Sequence, residues 1–302
     1  MNLSGATVAV TGATGFLGRY LVDVLLGRGA RVIGVVRNPA RVPELATQGV
    51  ELRQADLAEP ARLTAGFMGA DALVSNAALF SLRNRDWEAH HQANINGTRN
   101  VLTAAADAGV TRIVHVSSVA VYDGHQAPVT EEHPQLSLRS RRNLFNAYSI
   151  SKAVSEQLAW RLATERGLAL TTVRPCAIYG AFDPNFTTMF RYLAASPVTV
   201  MPAWTRLALV YGGDVAEAIA RVLERTESTG RAYNVTGEDL SLWEFWRAWN
   251  DALGRSAVAF PLPVPLSRTY DNGRAQGDLA WQNRPYVECL RETFAREQRT
   301  RT

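Results

Sequence analysis

The chain has 302 residues, of which 47% are hydrophobic and 20% charged, and its net charge is +4. These values fit a soluble protein large enough for an α/β unit with an added lobe. Its 31 arginines are scattered rather than gathered into a basic stripe, and no apolar run approaches the roughly 20 residues that span a bilayer, so we expect neither a nucleic-acid nor a membrane partner. The two cysteines form no disulfide framework and no signal-like segment follows Met1, which predicts a cytoplasmic protein. The five histidines lack metal-ligand spacing, so we expect no metal.

Short β-branched runs alternate with longer helical patterns along the first two-thirds of the chain. Such alternation is typical of βαβ units that build a parallel sheet. We therefore predict an α/β fold with a doubly wound Rossmann sheet. The predicted strands are Thr7–Val10, Val32–Val36, Ala72–Val74, Ile113–Val116 and Leu170–Val173, with helices near 16–28, 60–68, 86–108 and 148–166.

The pattern changes after Pro175, where Gly/Pro-rich segments separate helices predicted near 185–195, 214–226 and 241–253. The segment Leu207–Tyr211 and the helix after it are typical of a return to the sheet, so two interleaved lobes are predicted. We expect residues 1–175 to form a Rossmann domain that also receives about 205–236. A smaller substrate-binding lobe is expected from 176–204 and 237–302.

A glycine-rich loop follows the first predicted strand and leads into a helical pattern. Its glycines permit a tight turn and a close backbone approach, so that the helix N-terminus can hold a pyrophosphate. The alternative is a glycine-rich turn that binds nothing. We predict that the cofactor contacts in this loop come from Gly12, Thr14, Gly15, Phe16, Leu17 and Gly18.

An arginine stands at the end of the second predicted strand, where NAD-binding sites usually carry an acidic residue. Arg37 could pair with the 2′-phosphate of NADP(H), so NADP(H) is predicted in preference to NAD(H). Arg41, one turn further, is a weaker candidate for the same phosphate, and a plain surface arginine is the alternative for Arg37. Asp56, after the third strand, is placed to meet the adenine amino group.

The chain contains a single lysine, Lys152, and it lies four residues after Tyr148. Residues i and i+4 share one face of a helix, so the ammonium can stand beside the phenol. A neighbouring positive charge favours the ionised phenol, so we expect Lys152 to lower the pKa of Tyr148 from about 10. Tyr148 is then a candidate general acid/base for an alcohol or a carbonyl. The alternative is a solvated lysine on an amphipathic helix.

Several motifs follow one another in order along the chain. They are the glycines Gly12, Gly15 and Gly18, the acidic dipeptide Asp56-Leu57, the helix segment Asn94–Thr98, the serine segment Ser117–Asp123, the pair Tyr148 and Lys152, and the segment Arg174–Gly180. Together they resemble the extended short-chain dehydrogenase/reductase superfamily, which includes NAD-dependent epimerases and dehydratases and 3β-hydroxysteroid-type dehydrogenases. The resemblance covers positions 5 to about 240 and, more faintly, the remainder. Asp123 stands where the family pattern ends in glycine.

The resemblance implies a role for each matching residue. Tyr148 would exchange the proton at the reacting oxygen, and Lys152 would hold the nicotinamide ribose. Ser118, with Ser117 as the weaker candidate, would hydrogen-bond the substrate oxygen. Asn94 could support a proton relay, with a helix-bending polar residue as the alternative. Further cofactor contacts are expected from Leu57, Ala77, Ala78, Pro175 and Ile178, although Ser75–Ala78 replaces the frequent HxAA pattern.

The Ser/Tyr/Lys set indicates redox chemistry at a carbon that bears oxygen, whereas the substrate depends on the second lobe. Aromatic and apolar residues follow the strand ends, and they predict a largely apolar small molecule bound by Phe80, Trp87, Ser118, Phe182 and Phe186. Their packing against one another is the alternative. The resemblance is nearer to the 3β-hydroxysteroid dehydrogenase-like branch.

Two other functions stay open on the sequence alone. A nucleotide-sugar epimerase or dehydratase would use the same Ser/Tyr/Lys set, with Arg206, assisted by Asn185 and Arg191, near a diphosphate. A non-catalytic NADPH-binding protein is more remote, because such proteins usually lose part of that set. The oligomeric state is left open, with a homodimer as one option.

Overall fold

The computed structural model describes residues 1–80, 86–124, 128–142, 147–196, 198–256 and 258–299. In these ranges the strands are β1 (Thr7–Thr11), β2 (Arg31–Val36), β3 (Glu51–Gln54), β4 (Ala72–Ser75), β5 (Arg112–Val116), β6 (Ala169–Pro175), β7 (Ala177–Tyr179), β8 (Val198–Pro202), β9 (Arg206–Tyr211), β10 (Ala232–Val235), β11 (Asp239–Ser241), β12 (Val258–Leu262) and β13 (Ser267–Arg268). The α-helices are α1 (Phe16–Gly27), α2 (Pro43–Thr47), α3 (Pro60–Phe67), α4 (Trp87–His90), α5 (Gly97–Asp107), α6 (Ala147–Arg166), α7 (Phe186–Ala195), α8 (Gly212–Glu224), α9 (Leu242–Ala252), α10 (Gly273–Leu279) and α11 (Tyr286–Arg299).

Seven strands form the main sheet in the order β10-β6-β5-β4-β1-β2-β3, and every pairing is parallel. The predicted doubly wound α/β fold is therefore confirmed. The strand order reverses between β1 and β4, because β2 and β3 extend to one side of β1 and the later strands extend to the other. Ligands bind such sheets at this reversal, outside the carboxyl ends of the strands.

The two faces of the sheet pack against different helices. Side chains alternate along a strand, so Val8 and Val10 of β1 join the hydrophobic cluster that contains residues of α1 and α8, while Ala9 joins the one on the opposite face. That second cluster contains residues of α3, α5 and α6. Because both faces are covered, the inner strands β1, β2 and β4 have almost continuous apolar sequences, whereas the edge strand β3 is mostly polar.

The prediction for Leu207–Tyr211 is wrong in one respect. This segment, as β9, lies outside the main sheet and pairs with β7, β11 and β13. The strand that returns to the main sheet is β10, which pairs in parallel with β6. A strand of apolar residues would be buried in the main sheet or in the smaller one, so the composition of Leu207–Tyr211 could not distinguish between the two. Helix α8 does return, and it packs against α1. The proposed domain limits themselves stay a prediction.

Helix α9 organises the second lobe. It begins with a capping box, in which the Ser241 hydroxyl accepts a hydrogen bond from the Glu244 backbone N–H at 3.1 Å and the Glu244 carboxylate accepts one from the Ser241 N–H at 2.8 Å. Its inner face carries Phe245 and Trp249, both 0% exposed, which pack on Phe190 of α7 with ring centroids 4.9 and 5.9 Å away. This contact fixes α7 beside the carboxyl ends of the main strands.

Two features are absent from the described ranges. None of their helices is both long and apolar enough to cross a membrane. The same ranges contain no group of three or more His, Cys, Asp or Glu side chains arranged to hold a metal ion.

Candidate active site

A cleft of about 1740 Å³ opens at the carboxyl ends of β1, β2, β4, β5 and β6. Most of the residues predicted for the site lie on its walls, although they come from distant parts of the sequence. Those on the walls are Gly12, Thr14, Gly15, Phe16, Leu17, Arg37, Asp56, Leu57, Ala77, Ala78, Phe80, Ser118, Tyr148, Lys152, Pro175, Ile178 and Phe186.

The glycine loop is packed closely against the end of β4. Gly12 has a φ of +69°, and a Cβ there would lie 3.0 Å from the Cα of Ala77. Gly18 is not on the wall of the cleft, which differs from its predicted cofactor contact. A Cβ on Gly18 would lie 2.8 Å from the Cα of Ala13, so this glycine is needed for helix–loop packing. Helix α1 has no side-chain cap at Gly15, which leaves its first N–H groups for an anion.

The far end of the cleft carries the residues predicted for the adenosine half of the cofactor. Arg37 is exposed at the end of β2, and its backbone carbonyl accepts a hydrogen bond from Gln54 at 3.1 Å. Asp56 and Leu57 lie on the wall beside it, whereas Arg41 lies outside the cleft in an exposed turn. The chain turns away from the cleft after Asn38, so Arg41 does not face the cleft. Arg99 of α5 also lines this end and was missed by the sequence analysis.

Ser118 and Tyr148 come together in the cleft. A hydrogen bond from Ser118 acts on the Tyr148 phenol and tends to lower its pKa. The neighbouring serine serves another purpose, because the Ser117 hydroxyl donates to the buried Glu156 carboxylate at 2.5 Å. The choice of Ser118 over Ser117 therefore agrees with the geometry.

The expected effect of Lys152 on Tyr148 is wrong for this structure. Burial raises the pKa of Tyr148 to about 12, and the opposing influence is the Ser118 hydrogen bond rather than the lysine charge. Tyr148 and Lys152 share a helix face, but the ammonium does not lower the pKa of the phenol, because it points to the backbone carbonyl of Val116 at 2.7 Å. Tyr148 therefore holds its proton at neutral pH.

Lys152 is 3% exposed, so its ammonium is almost fully removed from water. Burial lowers the pKa of Lys152 to about 8, and the negative charge of Glu156 opposes that shift. A lysine can change its protonation in this range, whereas an arginine cannot. This difference gives a physical reason for the one lysine among so many arginines.

A buried ion pair lies beneath Lys152 and was missed by the sequence analysis. The guanidinium of Arg174 contacts the Glu156 carboxylate at 2.5 Å, and the two side chains are 4% and 0% exposed. Arg174 also donates to the Tyr122 hydroxyl at 2.7 Å, and that hydroxyl donates to Asn234 at 2.6 Å. The network ties β6, β10 and the turn after β5 to helix α6, and so fixes the helix that carries Tyr148.

Asn94 does not reach the reacting groups. It lies in a π-helical turn, His91–Asn96, which interrupts the single helix predicted over 86–108. Its side chain accepts from the Leu79 N–H at 2.7 Å and donates to the Leu79 carbonyl at 3.1 Å and to the Ser151 hydroxyl at 2.9 Å. These hydrogen bonds hold the Leu79 backbone and helix α6 in place, so the geometry favours a positioning role for Asn94 over a role in a proton relay.

The predicted substrate residues divide into two groups. Phe80 meets the Tyr148 ring edge-on at 4.8 Å, and Phe186 lines the cleft near Met189. Trp87 lies outside the cleft, partly buried against both hydrophobic clusters. Phe182 also lies outside it and is 44% exposed, in a left-handed conformation with a φ of +65°. For Trp87 the packing alternative is the better description.

Comparison with known proteins identifies the family of this chain. A sequence model of the NAD dependent epimerase/dehydratase family matches residues 8–236. The chain belongs to this family. The cinnamoyl-CoA reductase 1 of Petunia hybrida is 34% identical over 317 aligned positions, which cover 97% of this chain and 92% of that relative. A 4-hydroxy-2-methyl-3-oxo-4-farnesyl-3,4-dihydroquinoline-1-oxide ketoreductase from Stigmatella aurantiaca is 38% identical over 59% of this chain and 52% of its own length.

Solved structures agree on the architecture of the family. The UDP-N-acetylglucosamine 4-epimerase from Bacillus cereus superimposes with a TM-score of 0.83 over 97% of this chain and 100% of that one, at 20% identity. At this identity the likeness shows the fold alone. Together with the reductase relatives, the family membership makes the chain an NAD(P)-dependent oxidoreductase of the extended short-chain type.

The cleft fits the nicotinamide dinucleotide that this family binds. The uncapped N-terminus of α1 offers backbone N–H groups to a pyrophosphate, and Gly12 and Ala77, which approach each other closely, both line the cleft. The walls continue from there to Lys152 and Tyr148, so one extended ligand can reach from the α1 loop to the phenol.

Proposed function

We propose that the protein interconverts a hydroxyl and a keto group on a largely apolar small molecule, with NADP(H) as the cofactor. The observation that carries this proposal is the composition of the cleft beside Ser118 and Tyr148. The side chains there are mainly apolar and come from both lobes: Phe80, Leu136, Phe186, Met189, Leu207 and Leu242.

The chain's own residues would handle the proton. Tyr148, whose pKa is raised to about 12, holds the proton that a keto oxygen receives on reduction. Ser118 would hydrogen-bond the same oxygen and the phenolate left on Tyr148, and Lys152 would hold the ribose. A bound nicotinamide supplies the hydride in one direction and accepts it in the other.

The preference for NADP(H) rests on Arg37. It is exposed on the wall of the cleft and is in no ion pair with a described residue, so its guanidinium is free to meet a 2′-phosphate. A carboxylate at this position would repel that phosphate instead.

We predict that Arg37→Ala weakens NADP(H) binding by roughly tenfold or more and leaves NAD(H) binding unchanged, since a hydrogen bond to a charged group contributes about 1.5–3 kcal/mol. Calorimetric titration of both cofactors measures the effect. Arg31→Ala is the control, because Arg31 is exposed at the opposite end of the same strand. Equal affinity of the unaltered protein for NADP⁺ and NAD⁺ would contradict the proposal.

The epimerase alternative has less support. Arg206, the residue expected near a diphosphate, lies outside the cleft and pairs with Asp239 at 3.2 Å. Arg191 is engaged by Glu297. Asn185 does line the cleft, but it brings no positive charge.

A ligand screen decides between the two functions. We expect hydrophobic ketones or alcohols to raise the melting temperature of the NADP⁺ or NADPH complex, and UDP-, GDP- and dTDP-sugars to leave it unchanged. A ligand at a hundred times its Kd stabilises the native state by about 2.7 kcal/mol, which such a screen resolves. Selective stabilisation by a nucleotide sugar, with no net change in cofactor absorbance on turnover, would favour the epimerase.

A further inference from the structure

Among the described residues, one arginine lies beside the apolar side chains of the substrate end. Arg268 belongs to β13, which pairs with β9 so that Arg268 stands opposite Leu207. Arg268 and Leu207 both line the cleft, as do Phe186 and Leu242. The other arginines that the described part of the chain places on its walls, Arg37 and Arg99, lie at the adenosine end. A positive charge in this setting requires an explanation, because an apolar ligand gives it no partner.

The guanidinium of Arg268 is only partly used by the described residues. One of its amino groups donates a hydrogen bond to the backbone carbonyl of Tyr122 at 3.1 Å. The guanidinium carbon lies 5.6 Å from the centroid of the Tyr270 ring. Its Nε is buried and has no hydrogen-bond partner in the described ranges. No ion pair joins Arg268 to a described carboxylate, although most of the other arginines there have one. N–H donors of the Arg268 guanidinium are therefore left without a partner among the described residues.

The carboxylates of the cleft near this end are already engaged by backbone groups. Asp183 accepts hydrogen bonds from the N–H groups of Asn185 at 3.0 Å and Thr187 at 2.6 Å. Asp123 accepts one from the N–H of Gly124 at 2.9 Å. Neither of these carboxylates forms an ion pair with Arg268.

The hydrogen-bond partner of Arg268 is close in sequence to the serine of the site. Tyr122 follows Ser118 by a single 3₁₀ turn, Val119–Val121, and three residues at about 2 Å each rise roughly 6 Å along the chain. Ser118 and Arg268 both line the cleft. A small molecule with its keto oxygen at Ser118 and Tyr148 can therefore place a second group at Arg268. The planar fork of arginine matches the two oxygens of a carboxylate or phosphate.

We propose that Arg268 recognises an oxyanion on the substrate, so that the substrate class is an apolar ketone or alcohol carrying a carboxylate or a phosphate several bonds from the reacting carbon. This inference rests on the proposed function, and it specifies the substrate of the same site. The apolar walls hold the body of the molecule, Arg268 holds its anionic end, and Tyr148 meets its keto group.

The test compares ligands that share one skeleton. Calorimetry on the NADP⁺-saturated protein measures binding of 4-acetylbenzoate, 4-acetylphenyl phosphate and the neutral methyl 4-acetylbenzoate. We expect at least one of the two anions to bind tenfold or more tightly than the ester, and the tighter of the two identifies the source of the oxyanion. In Arg268→Gln this preference should fall to less than threefold, and in Arg268→Lys it should be partly retained.

Arg206→Gln is the matched control, because Arg206 is on the adjacent strand, opposite Ser267, and outside the cleft. It should keep the full preference for the anion, and melting temperatures establish that each variant is folded. The inference is overturned if the unaltered protein does not prefer either anion over the ester, or if Arg268→Gln is folded and keeps the preference. These measurements require no turnover, so they are distinct from a failure of the proposed chemistry, which NADPH consumption with the same ketones reports separately.

Discussion

Tyr148→Phe is expected to lower kcat by about 10²–10⁴-fold, the contribution usual for a positioned general acid, while cofactor binding is retained. The phenol lies in the cleft, is hydrogen-bonded with Ser118 and is protonated at neutral pH because burial raises its pKa to about 12. Phenylalanine keeps the ring that packs on Phe80 and removes only the transferable proton. NADPH absorbance measures turnover, and calorimetry measures cofactor affinity.

Tyr233→Phe is the control for loss of a tyrosine hydroxyl. Tyr233 is 0% exposed, lies in β10 away from the cleft, and hydrogen-bonds to Asp278 at 3.0 Å. This variant should lose some stability and keep its turnover. If Tyr148→Phe retained more than about a tenth of the activity, another group would have to supply the proton.

The parts of the site that were predicted are those encoded within a few neighbouring residues. The glycine loop, Ser118 and the Tyr148–Lys152 pair are each local in sequence, and each lies directly after a strand or on the first turns of a helix. The strand alternation that predicted the main sheet is likewise a local pattern. Such features need no knowledge of which distant segments meet.

The features that were missed depend on contacts between distant segments. Glu156 is one polar residue among many on a helix, and only the fold brings it to Arg174. The place of Arg268 depends on β13 pairing with β9, and β9 itself was assigned to the wrong sheet. The π-helical turn that holds Asn94 has no distinct sequence signal. The pKa of Tyr148 was misjudged for a related reason, since burial outweighs a charge that points elsewhere.

Lys152→Arg should lower kcat by about 10²-fold or more, although the formal charge is unchanged. The ammonium fits a nearly closed site, 3% exposed and 2.7 Å from the Val116 carbonyl, and a planar guanidinium is larger and cannot occupy the same point. Overpacking of a buried site costs about 1–3 kcal/mol of stability, and a displacement of about 1 Å near the reacting groups can cost 10²-fold in rate.

The pH dependence supplies a second, independent signature of Lys152. Its pKa is lowered to about 8, so the ammonium is charged below that pH and neutral above it. In the reductive direction kcat/KM, which reports ionisations of the free enzyme, should therefore fall as the pH rises through about 8. The arginine variant should lose this step, because guanidinium stays protonated. Arg161→Lys, a swap at a side chain 63% exposed on the same helix, is the control and should change neither rate nor profile. Full activity in Lys152→Arg, with an unaltered profile, would show that the ammonium is not required.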